Sequence, residues 1–235
     1  MDFFKNPKIS FTPNLNMATP ENYQVGPGDE LLVEVWGATE GNFKQKVDAE
    51  GNIFLNGVGR IHVAGLSFSE VKAKINSFLK RIYSGISAPD GSYAKIYTGV
   101  TITQVRTVKV NIIGEVMVPG TYSLSSLSTV LNALYACGGP SESGSFREIS
   151  LVRGGKKIAN FDIYDFLING SEKGNLGLQD QDVIIVPPYK NRVWVEGQVK
   201  RKGFYEMLNS ETLANLVSFF GGFTSDAFTN TLVLE

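Results

Sequence analysis

The sequence predicts an α+β protein, a small strand-rich N-terminal domain followed by tandem β-grasp-like modules, the last one truncated. Three observations lead there. The 25 glycines among 235 residues fall between short β-branched runs and mark many tight turns. Ser67 and Glu70 have capping-box spacing ahead of Val71, Ile75, Phe78 and Leu79, which share one helical face and predict a helix over 68–81. Finally, Val110 to Val152 can be laid over Val193 to Glu235 at a constant offset of 83 with no gap.

In chain order, 1–22 reads as an irregular leader, because Pro7, Pro13 and Pro20 sit among Asn and Thr. After the Gly26-Pro27-Gly28-Asp29 turn, Glu30 to Trp36 alternates apolar and polar residues as a strand does. Phe43–Val47, Ile53–Leu55 and Arg60–Ala64 extend the series, with Glu50-Gly51 as a hairpin signal. Tyr83 to Tyr97 contains Gly85, Pro89 and Gly91 and reads as a loop, and Thr98 to Ile113 reads as a strand. The N-terminal domain is thus expected over 23–106.

The two copies at offset 83 divide the remainder into 107–190 and 191–235. Four glycine pairs align, Gly114/Gly197, Gly120/Gly203, Gly138/Gly221 and Gly139/Gly222, and glycines in fixed register imply a shared backbone path. Val110/Val193, Val116/Val199, Tyr122/Tyr205, Thr129/Thr212, Asn132/Asn215 and Leu151/Leu234 are also identical. Each copy reads strand, turn, strand, then a helix with Ser126 or Asn209 as its expected cap and the Gly-Gly pair as its stop. Val130, Leu131, Leu134 and Cys137 form the predicted apolar helix face of the first copy, and Leu213, Ala214, Val217 and Phe220 that of the second. A further strand follows at Ile149–Val152 or Leu232–Leu234. Phe161–Ile168 reads as a short helix stopped at Asn169-Gly170, and Asp182–Pro187 as a strand. The first copy continues past the repeated stretch to Pro187-Pro188, so the second is expected to be incomplete and the chain to be a piece of a longer secreted protein.

Composition excludes several classes. With 22 Lys+Arg against 23 Asp+Glu, the formal charge of -1 provides no field for nucleic acid. One Cys and one His leave neither an internal disulfide nor the usual zinc ligand set, and no cofactor or metal site is predicted. The apolar runs are far shorter than the roughly 18–20 residues of a membrane helix, and 1–20 has no signal-peptide or lipidation pattern.

Residues 23 to 79 resemble the polysaccharide biosynthesis/export family. The resemblance rests on Tyr23-Gln24-Val25-Gly26-Pro27-Gly28-Asp29, on Asp48-Ala49-Glu50-Gly51-Asn52-Ile53, on Val58-Gly59-Arg60-Ile61 and on Ala64-Gly65-Leu66-Ser67. Asn56 departs, standing where a proline is common. The two copies resemble the soluble-ligand-binding β-grasp (SLBB) repeat through Gly114-Glu115-Val116, Pro119-Gly120-Thr121-Tyr122 and Ala136-Cys137-Gly138-Gly139. The second copy keeps Gly197, Gly203, Tyr205 and Gly221-Gly222, with Lys202 in place of the usual proline. The resemblance implies an outer-membrane lipoprotein of a Gram-negative bacterium whose homo-oligomeric ring forms a periplasmic vestibule for capsular or exopolysaccharide. It also implies an inner-membrane co-polymerase or kinase partner. The family's lipid-bearing cysteine and C-terminal membrane element have no counterpart here, so the chain would be the periplasmic part.

No catalytic residue is assigned. Asp29-Glu30, Asp162/Asp165 and Asp180/Asp182 are carboxylate pairs of the type glycoside hydrolysis uses, but Asp29 and Asp182 stand just before strands, where they satisfy turn N–H groups. The Gly-Gly pairs follow helices, whereas a phosphate cradle precedes one. His62 reads as a strand surface residue and Cys137 as a buried hydrophobe. Phe219, Phe223 and Trp194 offer aromatic faces, and Lys200-Arg201-Lys202 a basic turn, as candidate glycan or protomer contacts. The expected function is passive passage of polysaccharide through a ring; the alternative is a soluble-ligand or glycan-binding β-grasp module without a channel.

Overall fold

The computed structural model describes Phe4 and residues 18–228. Most of the expected leader and the expected strand at Leu232–Leu234 lie outside the described residues. Two compact units are present, one of residues 18–107 with Ser125–Leu127, the other of Phe4, Val108–Leu124 and residues 128–228.

In the first unit, β1 (Glu30–Gly37) buries Leu31, Val33 and Val35 in alternation, the pattern of a strand covered on one face. It is the middle strand of an antiparallel sheet between β2 (Gly41–Lys46) and β5 (Ile96–Gln104), with Val33 opposite Phe43 and Val100. Strands β3 (Asn52–Leu55) and β4 (Gly59–His62) pair as a separate hairpin. Helix α1 (Phe68–Leu79) begins where Glu70 N–H donates to Ser67 Oγ at 3.3 Å and Ser67 N–H donates to Glu70 Oε2 at 2.8 Å, which satisfies donors that a helix start leaves unpaired. Its buried residues Phe68, Val71, Ile75 and Leu79 join the core of β1.

Two expectations change here. Glu50-Gly51 joins strands of different sheets instead of closing a hairpin, because Asp48 Oδ1 accepts the Asn52 N–H at 2.7 Å and Gly51 O accepts those of Val63 and Ala64. The strand expected over Thr98–Ile113 is broken before β6 (Thr107–Gly114), because the Arg106 N–H leaves the ladder to reach Asp29 Oδ1 at 2.7 Å. The expected loop after α1 contains one 3-10 turn, Ser84–Ser87.

The second unit is built on a five-stranded sheet of β6, β7 (Gly120–Ser125), β8 (Ile149–Arg153), β9 (Lys156–Phe161) and β10 (Val183–Val186), in the order β7-β6-β10-β8-β9. β6 and β10 run parallel with Ile112 beside Ile184, and β8 runs antiparallel to both neighbours. Helix α2 (Val130–Ala136) buries Val130, Leu131, Ala133 and Leu134 in the same core as Ile112, Leu151 and Ile184. Helix α3 (Ile163–Asn169) is capped by Asp162 and ends at Gly170. This mixed sheet with a helix between its hairpin and its returning strands is the α+β architecture predicted.

Beyond it, β11 (Asn191–Val195), β12 (Gly203–Met207) and α4 (Leu213–Phe220) repeat the start of the module. The repeat extends to individual bonds. Tyr122 Oη donates to Val118 O and Tyr205 Oη to Arg201 O, while Gly139 N–H donates to Leu134 O and Gly222 N–H to Val217 O. The expected caps Ser126 and Asn209 are not the caps: Thr129 and Thr212 are, their N–H groups donating to Asn132 Oδ1 at 2.6 Å and Asn215 Oδ1 at 2.9 Å. That explains why Thr and Asn recur at both positions, since the pair closes a reciprocal turn. The predicted helix face is fully buried in the first copy only. In the second, Leu216 and Phe220 are buried but Leu213 is 48% exposed and Ala214 is exposed. The first copy's additional covering residues, Phe161, Leu178 and Ile184, come from chain beyond the repeated stretch.

Candidate functional site

The Tyr23-to-Asp29 signature forms a closed polar knot in the first unit. Asp29 is 0% exposed, and a buried carboxylate requires several donors. It accepts Tyr23 Oη–H at 2.8 Å, the Gly26 N–H at 2.8 Å, the Arg106 N–H at 2.7 Å and Arg106 Nη1 at 2.8 Å. Gly26 lies against that guanidinium, and a Cβ there would stand 2.9 Å from Arg106 Cζ. Burial, the largest influence, pushes the Tyr23 phenol above its ordinary value. Arg106 escaped the sequence reading because it lies 77 positions from Asp29.

The other motif residues occupy turns. Asp48 and Gly51 share the loop before β3, Gly59 opens β4, and Gly65 N–H donates to Val25 O at 2.9 Å. Gly114 ends β6 where a Cβ would stand 2.2 Å from Val186 O, so this close approach excludes a side chain. Pro119 and Gly120 are exposed at the β6–β7 connection, while Gly138 and Gly139 follow α2. Gly197 and Gly203 bracket the β11–β12 connection. Gly221 caps α4 in the left-handed region, and Gly222 follows it.

A groove of about 730 Å³ opens in the second unit between α3 and the outer face of β11–β12. Alternation puts Arg192, Trp194, Phe204 and Glu206 on that outer face, with Trp194 opposite Phe204 and Arg192 opposite Glu206. Trp194 is 51% and Phe204 58% exposed, with their ring centroids 4.7 Å apart. Tyr164, Leu167 and Ile168 line the opposite wall, and Arg201 and Lys202 the rim. Of the residues singled out in sequence, Trp194, Phe219, Arg201 and Lys202 therefore line one groove. Lys200 is exposed and not among the lining residues, and Phe223 packs edge-on against Phe220, with centroids 5.5 Å apart. Phe219 also meets Tyr164 edge-on at 5.4 Å, and Arg201 Nη2 donates to Phe219 O at 3.0 Å.

The groove floor rests on a buried ionic joint between the two copies. Arg147 Nε donates to Asp162 Oδ1 and Oδ2 at 2.9 and 2.8 Å, its Nη1 and Nη2 donate to Glu211 at 3.0 and 2.7 Å, and its guanidinium lies over the Tyr164 and Phe219 rings. Beside it Glu206 accepts Ser145 Oγ–H at 2.6 Å and the Phe146 N–H at 2.7 Å. Burial raises the Glu206 carboxyl above its ordinary range despite those bonds. Burial alone would lower the Arg147 value, but bonds to Glu211 and Asp162 reverse it. Arg147, Arg192, Phe204 and Glu206 were missed in sequence. For Arg192, Phe204 and Glu206 the signal was the comparison of copies, because offset 83 pairs Lys109, Thr121 and Ser123 with them.

The candidate carboxylates have structural partners. Asp162 caps α3 and pairs with Arg147, Asp182 is forked by Arg153 at 2.7 Å through Nε and Nη2, and Asp180 accepts the Lys109 N–H at 2.9 Å. Exposed His62 lies 3.2 Å from Asn52 Oδ1, and burial raises the thiol of Cys137. Among the described residues no cluster of His, Cys, Asp and Glu suits a metal ion, and no helix is long and apolar enough to cross a membrane.

Fold and sites together define a small sheet module with a knotted entry turn, followed by tandem β-grasp repeats that share an aromatic and cationic groove. Residues 17–89 match the polysaccharide biosynthesis/export protein family, and residues 109–161 and 192–235 match the SLBB domain. Two polysialic acid transport proteins KpsD of Escherichia coli are 36% and 35% identical over 193 residues, covering 80% of this chain and 32% of each relative. The chain belongs to the polysaccharide biosynthesis/export protein family with SLBB domains, a family of export proteins. It spans 32% of the length of the curated relatives it matches.

Proposed function

We propose that this chain is the periplasmic part of an outer-membrane polysaccharide exporter, whose modules assemble into a homo-oligomeric ring that conducts the hydrated glycan passively. The observation carrying this reading is the order of matches, an export-family module followed by two SLBB repeats, over residues that are over a third identical to transporters of an acidic glycan. A heterologous contact repeated with a closing rotation gives such a ring. Strand edges that are unpaired among the described residues, such as those of β2 and β7, are suited to it. The motif residues Tyr23, Gly26, Asp29, Gly51, Gly114 and Gly221 serve in this reading to hold the modules' shape. Weak, dispersed contacts suit transport, since tight binding would stall the glycan. An inner-membrane co-polymerase or kinase would deliver it.

The test is electron microscopy of the natural full-length, lipid-modified protein in detergent. Closed rings around a continuous opening are expected; uniform monomers overturn the channel. One observation favours the second reading, a glycan-binding module without a channel: the groove beside Trp194. Saturable glycan binding by a protein that forms no ring would select it.

A further inference from the structure

We infer that the groove between α3 and the outer face of β11–β12 is a weak binding site for sugar chains bearing carboxylates, with Trp194 and Phe204 as the stacking platform and Arg192 and Lys202 as the acid-reading cations. This rests on the polysaccharide reading above for the presence of a glycan.

The repeat supplies an internal control. In the first copy the same face carries Lys109, Asn111, Thr121 and Ser123, and Thr121 Oγ1–H donates to Asn111 Oδ1 at 2.7 Å. That face is polar and carries no aromatic residue. The second copy shares the backbone but holds two large aromatics more than half exposed, which a solvated strand face does not need. Part of the face is occupied, since Glu206 docks on Ser145 and Phe146. The remainder, around Trp194 and Phe204, opens into the groove.

Charge selects the ligand class. Among the described residues, Arg192, Arg201 and Lys202 form no ion pair with a carboxylate. Arg192 Nη1 donates to Glu142 O, and its guanidinium lies over Tyr189 at 3.7 Å, which holds it in place without an ion pair, although the Glu206 carboxyl opposite it feels its charge. Arg201 donates to the carbonyls of Phe219 and Phe220. Two acids lie nearby. Glu196 accepts Trp194 Nε1–H at 2.9 Å, and both oxygens of Glu206 accept bonds from the first copy. Aromatic faces matched to the C–H faces of sugars, beside cations that form no ion pair among the described residues, fit an acidic glycan better than a neutral one. The volume lies within the ~300–1,000 Å³ range of ligand sites, and its exposed rim keeps the interaction weak and salt-sensitive.

The test uses the 235-residue chain with Trp36→Phe, so that Trp194 is its one tryptophan. Titration with hexagalacturonate should change Trp194 fluorescence saturably. Maltohexaose should bind at least about tenfold more weakly, and added salt should weaken the acidic ligand. Lys202→Gln removes an exposed amine, leaves the fold alone and should weaken binding about threefold; Arg192→Gln with Lys202→Gln should weaken it about tenfold. Equal binding of maltohexaose, no saturable response, or indifference to both variants overturns the inference. So does Trp194 fluorescence that changes with protein concentration alone, which would assign the groove to a second copy. A silent groove in a protein whose full-length form makes rings removes this inference and leaves the export reading. A responding groove in a protein that never forms rings supports this inference and removes the channel.

Discussion

Arg147→Ala removes the side chain that joins the two SLBB copies, and its effect can be worked from the structure. The Arg147 side chain is 6% exposed, and its carboxylate partners Asp162 and Glu211 are 21% and 13% exposed. Removing one member of a buried ion pair typically costs about 3–5 kcal/mol, because the other charge is left unpaired. The lower end applies here. Asp162 keeps the Tyr164 and Asp165 N–H groups and Glu211 keeps the Leu208 N–H, so neither carboxylate is stranded. Loss of the guanidinium over the Tyr164 and Phe219 rings adds about 0.5–1 kcal/mol. The expected loss is about 3–4 kcal/mol. With a urea dependence of about 2 kcal/mol per molar, the midpoint falls by about 1.5–2 M. The two compact units need not unfold together, so the assay is urea unfolding in a Trp36→Phe background, in which Trp194 reports on β11. Lys190→Ala is the control, since its ion pair with Glu148 leaves Lys190 64% exposed, and it should cost under about 0.5 kcal/mol. A loss below about 1 kcal/mol for Arg147→Ala would refute the reasoning.

Four further outcomes are expected. Asp29→Ala should cost about 3–5 kcal/mol in stability of the N-terminal module, read through Trp36, because Tyr23 and Arg106 lose their shared buried acceptor; a wild-type midpoint would contradict this. Folded protein at pH 8 should react with a thiol reagent at least about a hundredfold more slowly than urea-unfolded protein, since burial raises the Cys137 thiol and blocks access; equal rates would show an open thiol. Because burial raises the folded Glu206 carboxyl, its proton-linked contribution is full below the ordinary value of 4.5 and is lost as pH rises through the folded value. The wild-type urea midpoint should therefore decline relative to that of Glu206→Gln on going from acid to neutral pH, and parallel profiles would exclude the linkage. Gly221→Ala should cost about 1–2 kcal/mol by calorimetry, because φ at this helix end is +81°; an unchanged unfolding temperature would contradict the cap.

How much was legible follows from range. The capping box at Ser67 and Glu70, the strand alternation at Leu31, Val33 and Val35, and the glycine stops after α2 and α4 are local rules, acting within a few residues, so the sequence states them directly. The offset of 83 made the tandem architecture legible as well, and the identities Thr129/Thr212 and Asn132/Asn215 held the true caps, although Ser126 and Asn209 were the more conventional candidates. Local signals misplaced the hairpin at Glu50-Gly51 because a turn motif does not specify which strands pair.

The sequence by itself determined the class of fold, the repeat, and which carboxylates stand in turns. Only the tertiary structure decided what those carboxylates meet. Asp29 reaches Arg106 across 77 positions within the first unit, and Arg147 reaches Glu211 across 64 between the two repeat copies, pairings set by tertiary packing. It also decided that Trp194, Phe204, Arg192 and Lys202 share one groove with α3. Burial and long-range pairing depend on which surfaces meet in space, and no periodicity along the chain encodes that.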